Sequence, residues 1–389
     1  VQISEWTTTI LQDLCNIEYG KAPSDARVEF SEYPLYGTSG VTGYADKPLF
    51  QAPLIMVGRK GTINKPIFIE HDCWIIDTAY GLFTENADLK WLFYFISNYD
   101  LSRLNEATGV PSLNRNNLYN IEVPVPPLTE QRKIADILTT VDNAISKTEA
   151  IIEQTERVKK GLMQQLLTKG IGHLKFKQTD FGEIPENWGV CLLDEVALRK
   201  SGHTPDKKKS NYWSGDIPWI SLKDTSRLDN RFIDETTDYT TTDGINNSSA
   251  VLLPEGTVVI SRDATVGKSG IMRYPMATSQ HFINYICGDR LFNWYLYYDL
   301  QYRKQLFERI AVGSTIKTIG LQFFKELKVA VPPIEEQKHI SQILNSMDDK
   351  IDKEILKLSK IQTLKKGLMQ VLLTGKVRVK VDDPEAVNT

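Results

Sequence analysis

Two long stretches of the chain carry apolar residues at alternating spacings of four and three. The first runs through Ile134, Leu138, Val141, Ile145, Thr148, Ile152, Leu162 and Leu166. The second runs through Ile340, Leu344, Met347, Ile351, Ile355, Leu358, Ile361, Leu368 and Leu372. That spacing is a heptad seam, and it predicts two helices of roughly 40 residues, each ~60 Å long at about 1.5 Å per residue. A Pro-Pro pair (Pro126–Pro127, Pro332–Pro333) stops the strand before each one, Thr129 or Glu335 opens a polar first turn, and Gly170 and Gly375 stand where each should end. A lone amphipathic helix of this length leaves its stripe uncovered, so the two are expected to pack on each other. Imperfect knobs-into-holes packing is expected where Thr148 and Lys353/Glu354 interrupt the seam.

Outside these helices the pattern changes to short runs rich in Ile, Val, Phe and Trp, punctuated by Gly and Asn. PLIMVGRKGTINKPIFI (from Pro53) and CWIIDTAYGLF (from Cys73) read as strands, as do GTVVISRDATVGKSGIM (from Gly256) and QHFINYIC (from Gln280). Amphipathic helices follow from Trp91 and from Asn293. Each precedes a polar loop, TGVPSLNRNN or VGSTIKTIG, and a last strand, YNIEVPVPP or KELKVAVPP. Each block is therefore mixed α/β, mostly sheet.

The chain also repeats itself. Val125–Thr168 aligns without a gap on Val331–Thr374, with 20 of 44 positions identical, Glu130/Glu336, Gln131/Gln337 and Asp142/Asp348 among them; KKGLMQ recurs at Lys159–Gln164 and Lys365–Gln370. A fainter match links the starts of the blocks: Trp6 with Trp188, Leu11 with Leu193, Gly20 with Gly202, Pro23 with Pro205. The offset grows from 182 there to 206 at the helices, so the second block carries 24 extra residues, most simply between Tyr212 and Val251. The predicted organisation is a first globular block (1–124), a long helix (125–169), an extended linker with turns at Gly182 and Pro185 (170–184), a second block (185–331), a second long helix (332–375) and a tail (376–389). Duplication of block plus helix predicts a pseudo-twofold body of α/β (α+β) class.

Chemistry enters mostly as absences. The formal charge of −3 gives no support to a nucleic-acid partner as a total, but Arg199–Arg231 holds eight Lys/Arg against four Asp, with Tyr212, Trp213 and Trp219 interleaved. Lys207, Lys208, Lys209 and Lys223 in that stretch are a candidate phosphate-tracking patch; the plainer reading is a solvated lysine-rich loop. Cys15, Cys73, Cys191 and Cys287 are scattered, which argues against zinc and against a disulfide framework. No run of 18 apolar residues and no leader-like start is present, so a soluble cytoplasmic protein without membrane contact is expected. GKS at Gly267–Ser269 fails as a phosphate loop because Arg262 stands where glycine is required, and neither HExxH nor GxSxG occurs. What the blocks offer is donors on loops: Arg59, Lys60, Asn64, Lys65, Asn114, Arg115 and Asn116 in the first, and Arg262, Lys268, Ser314, Thr315 and Lys317 in the second. Arg, Lys and Asn read base edges in the major groove, although Asn in loops more often makes turns.

Two variable blocks, each followed by a matching helix opened by VPP(L/I)xEQ and closed by KKGLMQxLLT, resemble the DNA-specificity subunit of type I restriction-modification enzymes. FKQTDFGEIPENW, from Phe176, is similar to that family's entry into its second recognition domain. The resemblance spans essentially the whole chain. It implies two target recognition domains, each reading one half of a bipartite, asymmetric double-stranded DNA site, on helices that pair as an antiparallel coiled coil. It implies that the helices dock two DNA-methyltransferase subunits, to which restriction subunits attach. It further implies that this chain is non-catalytic and holds no cofactor, S-adenosylmethionine, ATP and Mg belonging to the partners. Two readers on a pseudo-twofold body should meet half-sites about one helical turn apart, ~34 Å. The alternative from another class is a non-DNA coiled-coil scaffold whose β-rich blocks bind protein or glycan; a self-contained nuclease is disfavoured by the missing motifs.

Overall fold

The computed structural model describes residues 6–314 and 316–380. Residues 1–5 and the end of the tail, 381–389, lie outside the described residues. The chain divides into two compact units, one of residues 1–151 with 354–389 and the other of residues 152–353. The long helices are Leu128–Lys169 and Ile334–Leu372. Each unit therefore holds a globular block, the N-terminal part of one long helix and the C-terminal part of the other.

In the first unit, Asn16–Tyr19, Ala79–Phe83, Leu54–Gly58 and Ile67–Ile69 form an antiparallel sheet in that order. A second sheet orders Arg27–Val28, Gly40–Ala45, Tyr33–Gly37 and Trp74–Ile75, the last pair parallel. The helix Leu89–Asn98 is capped by Asp88, whose carboxylate accepts from the Trp91 N–H, and it buries Trp91, Leu92, Tyr94, Phe95 and Ile96. Thr7–Ile10 pairs with Glu122–Val125, so first and last strands of the block close together at the foot of the long helix. Ile134, Ala135 and Leu138 join Leu372 and Leu373 in the core that holds Ile17, Val57, Leu82 and Trp91. An early residue of one long helix thus meets a late residue of the other, which makes the pair antiparallel.

The second unit repeats the plan. Ala197–Ser201, Phe282–Cys287, Val258–Ser261, Ser269–Met272 and Phe232–Ile233 form a five-stranded sheet, and Gly189–Leu192 pairs with Lys328–Val331. Leu166 and Leu167 pack with Ile340 and Leu344 in the core that holds Trp188, Tyr295 and Tyr298. The helical stretch from Asn293 breaks into Asn293–Tyr302 and Lys304–Ile310. The expected linker is better organised than an extended strand: Phe176–Thr179 and Gly182–Pro185 form a hairpin, and Pro185 pairs with Phe176 instead of turning. The turn falls at Asp180–Gly182, where Gly182 takes a φ of 82°.

The seam is mostly as the periodicity predicts. Ile134, Leu138, Leu166, Ile340, Leu344, Ile351 and Leu372 are buried, and Val141, Ile145, Ile152, Leu162, Met347, Leu358 and Leu368 are half-buried. Two details differ. Thr148 does not interrupt the stripe: it is buried, and its hydroxyl donates to the Ala144 carbonyl one turn back, which leaves its methyl free to pack. Ile355 is 49 % exposed, because the seam passes from Ile351 to Leu358 and leaves Ile355 on its flank. Both helices end as expected, with Gly170 and Gly375 at φ of 65° and 70°.

Polar identities between the copies are explained by what they hold. Gln131 is buried, accepts from the Asp88 N–H (2.8 Å) and donates to the Pro126 carbonyl (2.9 Å). Gln337 does the same with the Phe292 N–H and the Pro332 carbonyl, both at 2.8 Å. Glu130 accepts from the Trp6 indole and Arg378, and Glu336 accepts from the Trp188 indole and pairs with His173. Asp142 takes the Tyr94 hydroxyl (2.8 Å) and Lys365 (2.5 Å), while Asp348 takes the Tyr298 hydroxyl (2.7 Å) and Lys159 (2.5 Å). Each carboxylate thereby ties a globular block to both long helices of its own unit.

Candidate nucleic-acid interface

The offered donors sit where sheet strands give way to loops, and the two units build these loops on one backbone plan. In the first, the Arg59 N–H donates to the Thr78 carbonyl and the Arg59 carbonyl accepts from Leu113; in the second, the Arg262 N–H donates to His281 and the Arg262 carbonyl accepts from Ile319. Arg59 and Lys60 are thereby brought beside the loop that carries Asn114, Arg115 and Asn116, more than fifty positions away in sequence. Further bonds, Gly61 N–H to Pro111 and Ala264 N–H to Lys317, fasten the same loop pairs.

Equivalent backbones carry different side chains. In the first unit the Arg59 and Arg115 guanidiniums lie 5.2 and 5.0 Å from the Tyr19 ring, within cation–π range. In the second unit Asp263 collects His281 (2.8 Å) and the Thr318 hydroxyl, with Arg262 at 3.7 Å. Tyr19 and the Asp263–His281–Thr318 cluster were not among the sequence candidates. No local signal marks Tyr19: its strand Asn16–Tyr19 leads to Gly20, and only the pairing of that strand with Ala79–Phe83 brings the ring to these loops.

Several candidates also hold loop backbone in this structure. The Asn64 side chain accepts from the Leu101 N–H, and Asn114 caps the short helix Arg115–Tyr119 through the Asn116 N–H. Lys268 reaches inward to the Thr225 carbonyl, and the Arg262 Nε donates to the Ile319 carbonyl. These polar groups satisfy loop backbone, the turn-making role that competes with ligand contact for such residues. Lys60, Lys65, Asn116, Lys207, Lys208, Ser314 and Lys317 are exposed. Thr315 lies outside the described residues.

The lysine-rich patch is part of a shaped surface. Lys207 and Lys223 line a cavity of about 580 Å³ with Trp213 and Tyr239, and Lys223 is paired with Asp238 at 2.9 Å. Lys209 lies over the Tyr212 ring, its ammonium 3.0 Å from the phenol oxygen. No group of His, Cys, Asp and Glu among the described residues could hold a metal ion, and no helix there is long and apolar enough to cross a membrane.

Residues 3–157 and 185–364 match the type I restriction modification DNA specificity domain. The chain belongs to that family. Among curated relatives, the type I restriction enzyme MjaVIII specificity subunit of Methanocaldococcus jannaschii is 30 % identical over 339 residues, 84 % of this chain and 76 % of that protein. A putative MjaX specificity subunit from the same organism is 31 % identical over 278 residues, 70 % of this chain but only 63 % of its own length. The crystal structure of a type I restriction-modification S subunit from M. genitalium superposes with a TM-score of 0.64 at 17 % identity, covering 96 % of each chain. The architecture of two mixed domains with two long helices is thus that of solved specificity subunits. The loops around Arg59 and Arg262 occupy matching places in the two repeats.

Proposed function

We propose that this chain is the DNA-reading, non-catalytic component of a type I restriction-modification complex, in which each unit reads one half of a bipartite site in double-stranded DNA. The antiparallel helices set the gap between the halves and dock two methyltransferase subunits, through which restriction subunits attach. The observation that carries this reading is the pairing of equivalent loop backbones with unlike side chains, Tyr19–Arg59–Arg115 against Asp263–His281–Thr318. A duplicated frame with divergent donors suits two half-sites of different sequence.

Mapping modified adenines in cells that carry the system tests it. Two separated base motifs are expected, with exposed first-unit donors such as Asn116 bearing on only one of them. Asn116→Ala should alter one half or none, and a change at both halves would refute the division of labour. Four residues inserted near Thr148 lengthen a helix by about 6 Å and turn it by roughly 400°, close to the original phase. The same half-sites with a gap longer by one or two base pairs are expected. An active variant with an unchanged gap would remove the spacer role and leave docking alone. Duplex binding that is flat with salt would favour the scaffold alternative.

A further inference from the structure

Arg59 and Arg115 converge on one tyrosine with no carboxylate to balance them. Neither has an ion-pair partner among the described residues; Arg59 donates one Nη1 bond to the Asp77 carbonyl, and the Arg115 Nε is buried with no acceptor. Several arginines of the described chain are treated differently: Arg199, Arg227, Arg231, Arg273 and Arg303 each meet an Asp within about 3.1 Å. Two like charges held against the same ring repel, and the ring face offsets this only in part. Tyr19 is itself 45 % exposed and is held edge-on by the buried Tyr80 ring at 5.1 Å, so the cluster opens to solvent on a rigid floor. Such a pair of unpaired guanidiniums, fixed by packing and lacking an internal anion, is a site for an oxyanion with several acceptor oxygens.

We infer that Tyr19, Arg59 and Arg115 form a phosphodiester-binding site that anchors the DNA backbone on the first unit, and that the second unit has no counterpart. This rests on the DNA-reading role proposed above. The occupant is assigned as phosphate because a guanidinium whose Nε is sunk into the protein presents its terminal N–H groups as a fixed fork, which suits an oxygen pair on phosphate. The asymmetry follows from the repeat. At the offsets that match the two blocks, Ser201 stands for Tyr19 and Leu321 for Arg115, while Arg262 is tied to the Ile319 carbonyl and lies near Asp263. The second unit therefore lacks both the ring and one of the two charges.

The test uses the full chain and a duplex of arbitrary sequence, since a backbone contact needs no target. Affinity is measured by fluorescence anisotropy between about 50 and 200 mM salt for wild type, Arg59→Gln, Arg115→Gln, Arg115→Lys and Arg132→Gln; Arg132 is an exposed position on the long helix. Loss of one phosphate contact should make the slope of log K against log salt shallower by about 0.9. Arg59→Gln and Arg115→Gln should each show this, while Arg115→Lys restores most of the slope and Arg132→Gln leaves it unchanged. Thermal unfolding of each variant identifies any that has lost its fold, and the remaining arginine then decides. Wild-type slopes in both Gln variants would overturn the inference, as would an equal effect of Arg132→Gln. So would an altered site preference with an unchanged slope, which marks a base contact. A wild-type chain that binds duplex without salt dependence would remove the DNA-reading role itself.

Discussion

Asp348 offers the sharpest test of how the second unit is held together. Its carboxylate accepts from the Tyr298 hydroxyl at 2.7 Å and pairs with Lys159 at 2.5 Å, so one side chain links the globular block, its own helix and the opposing helix. A hydrogen bond to a charged acceptor contributes about 1.5–3 kcal/mol, but the Tyr298 hydroxyl also lies 2.9 Å from the Asn345 side-chain Oδ1 and can turn to that neutral acceptor. The net loss on that side is therefore about 1–1.5 kcal/mol. Lys159 keeps 22 % of its side chain in contact with solvent, so its share stays near the surface-pair value, below about 1 kcal/mol. Asp348→Ala should then cost about 2 kcal/mol, Asp348→Asn about 1, and Lys159→Met less than about 1.

Because two units need not unfold together, native-state hydrogen exchange is the suitable assay. Segments 152–169 and 334–353 should exchange roughly 30-fold faster in Asp348→Ala, with the 128–140 segment of the first unit unaffected. Tyr298→Phe and Asp348→Ala should be non-additive, with a coupling of about 1 kcal/mol. Strict additivity, or an Asp348→Ala variant within about 0.5 kcal/mol of wild type, would refute the linkage and make the shared Asp a surface feature.

Two further outcomes follow from particular contacts. Burial raises the Glu130 carboxyl, but Arg378, the Trp6 indole and the Val379 N–H outweigh it and hold the group below its usual 4.5. With the folded value depressed, its stabilisation is present above about 4.5 and lost as pH falls through the folded value, so Arg378→Ala should move the acid transition of the first unit upward; an unmoved transition would count against the contact. A Cβ on Gly202 would lie 2.1 Å from the Ser279 carbonyl, as one on Gly20 would from Ile76, so either Gly→Ala should cost about 1–3 kcal/mol in denaturant titration, and a neutral effect would show that the strands can part.

Much of this architecture was legible because apolar spacing and duplication survive in one dimension. The seam from Ile134 to Leu166, the glycine ends and the strands within the stretches from Pro53, Cys73, Gly256 and Gln280 are where the pattern places them, whereas the sheet strands Asn16–Tyr19 and Ala197–Ser201 were not read from it. The polar identities were visible as well, but their meaning was not. Asp142 and Asp348 are visible as identical positions of the repeat, yet the tyrosines they hold lie 48 and 50 residues away. No local pattern reports such a contact. The same reason hides what some candidate donors hold: Asn64, Asn114 and Lys268 look like free loop donors until the fold brings a backbone group within reach.

The internal repeat also separates frame from reading surface without any outside comparison. Where the copies agree in polar side chains, at Gln131/Gln337, Glu130/Glu336 and Asp142/Asp348, the principal contacts recur in both units, although Glu130 adds Arg378 where Glu336 adds His173. Where they differ, the second unit adds a tie of its own. Arg231, with a φ of 67° and within the stretch assigned to the extra residues, pairs with Asp349 at 2.6 Å and with Asp352; the matching positions on the first helix are Asn143 and Ser146, which carry no charge. The added segment therefore folds back onto its helix, spending an arginine on internal structure. In the first unit Arg59 and Arg115 have no such acid. The second repeat thus turns an arginine inward onto its own helix, whereas the first holds two against one ring with no carboxylate beside them. If the inferred phosphate site holds, removing an arginine from the first unit should flatten the salt dependence of duplex binding more than Arg262→Gln does in the second, while the helical frames stay alike.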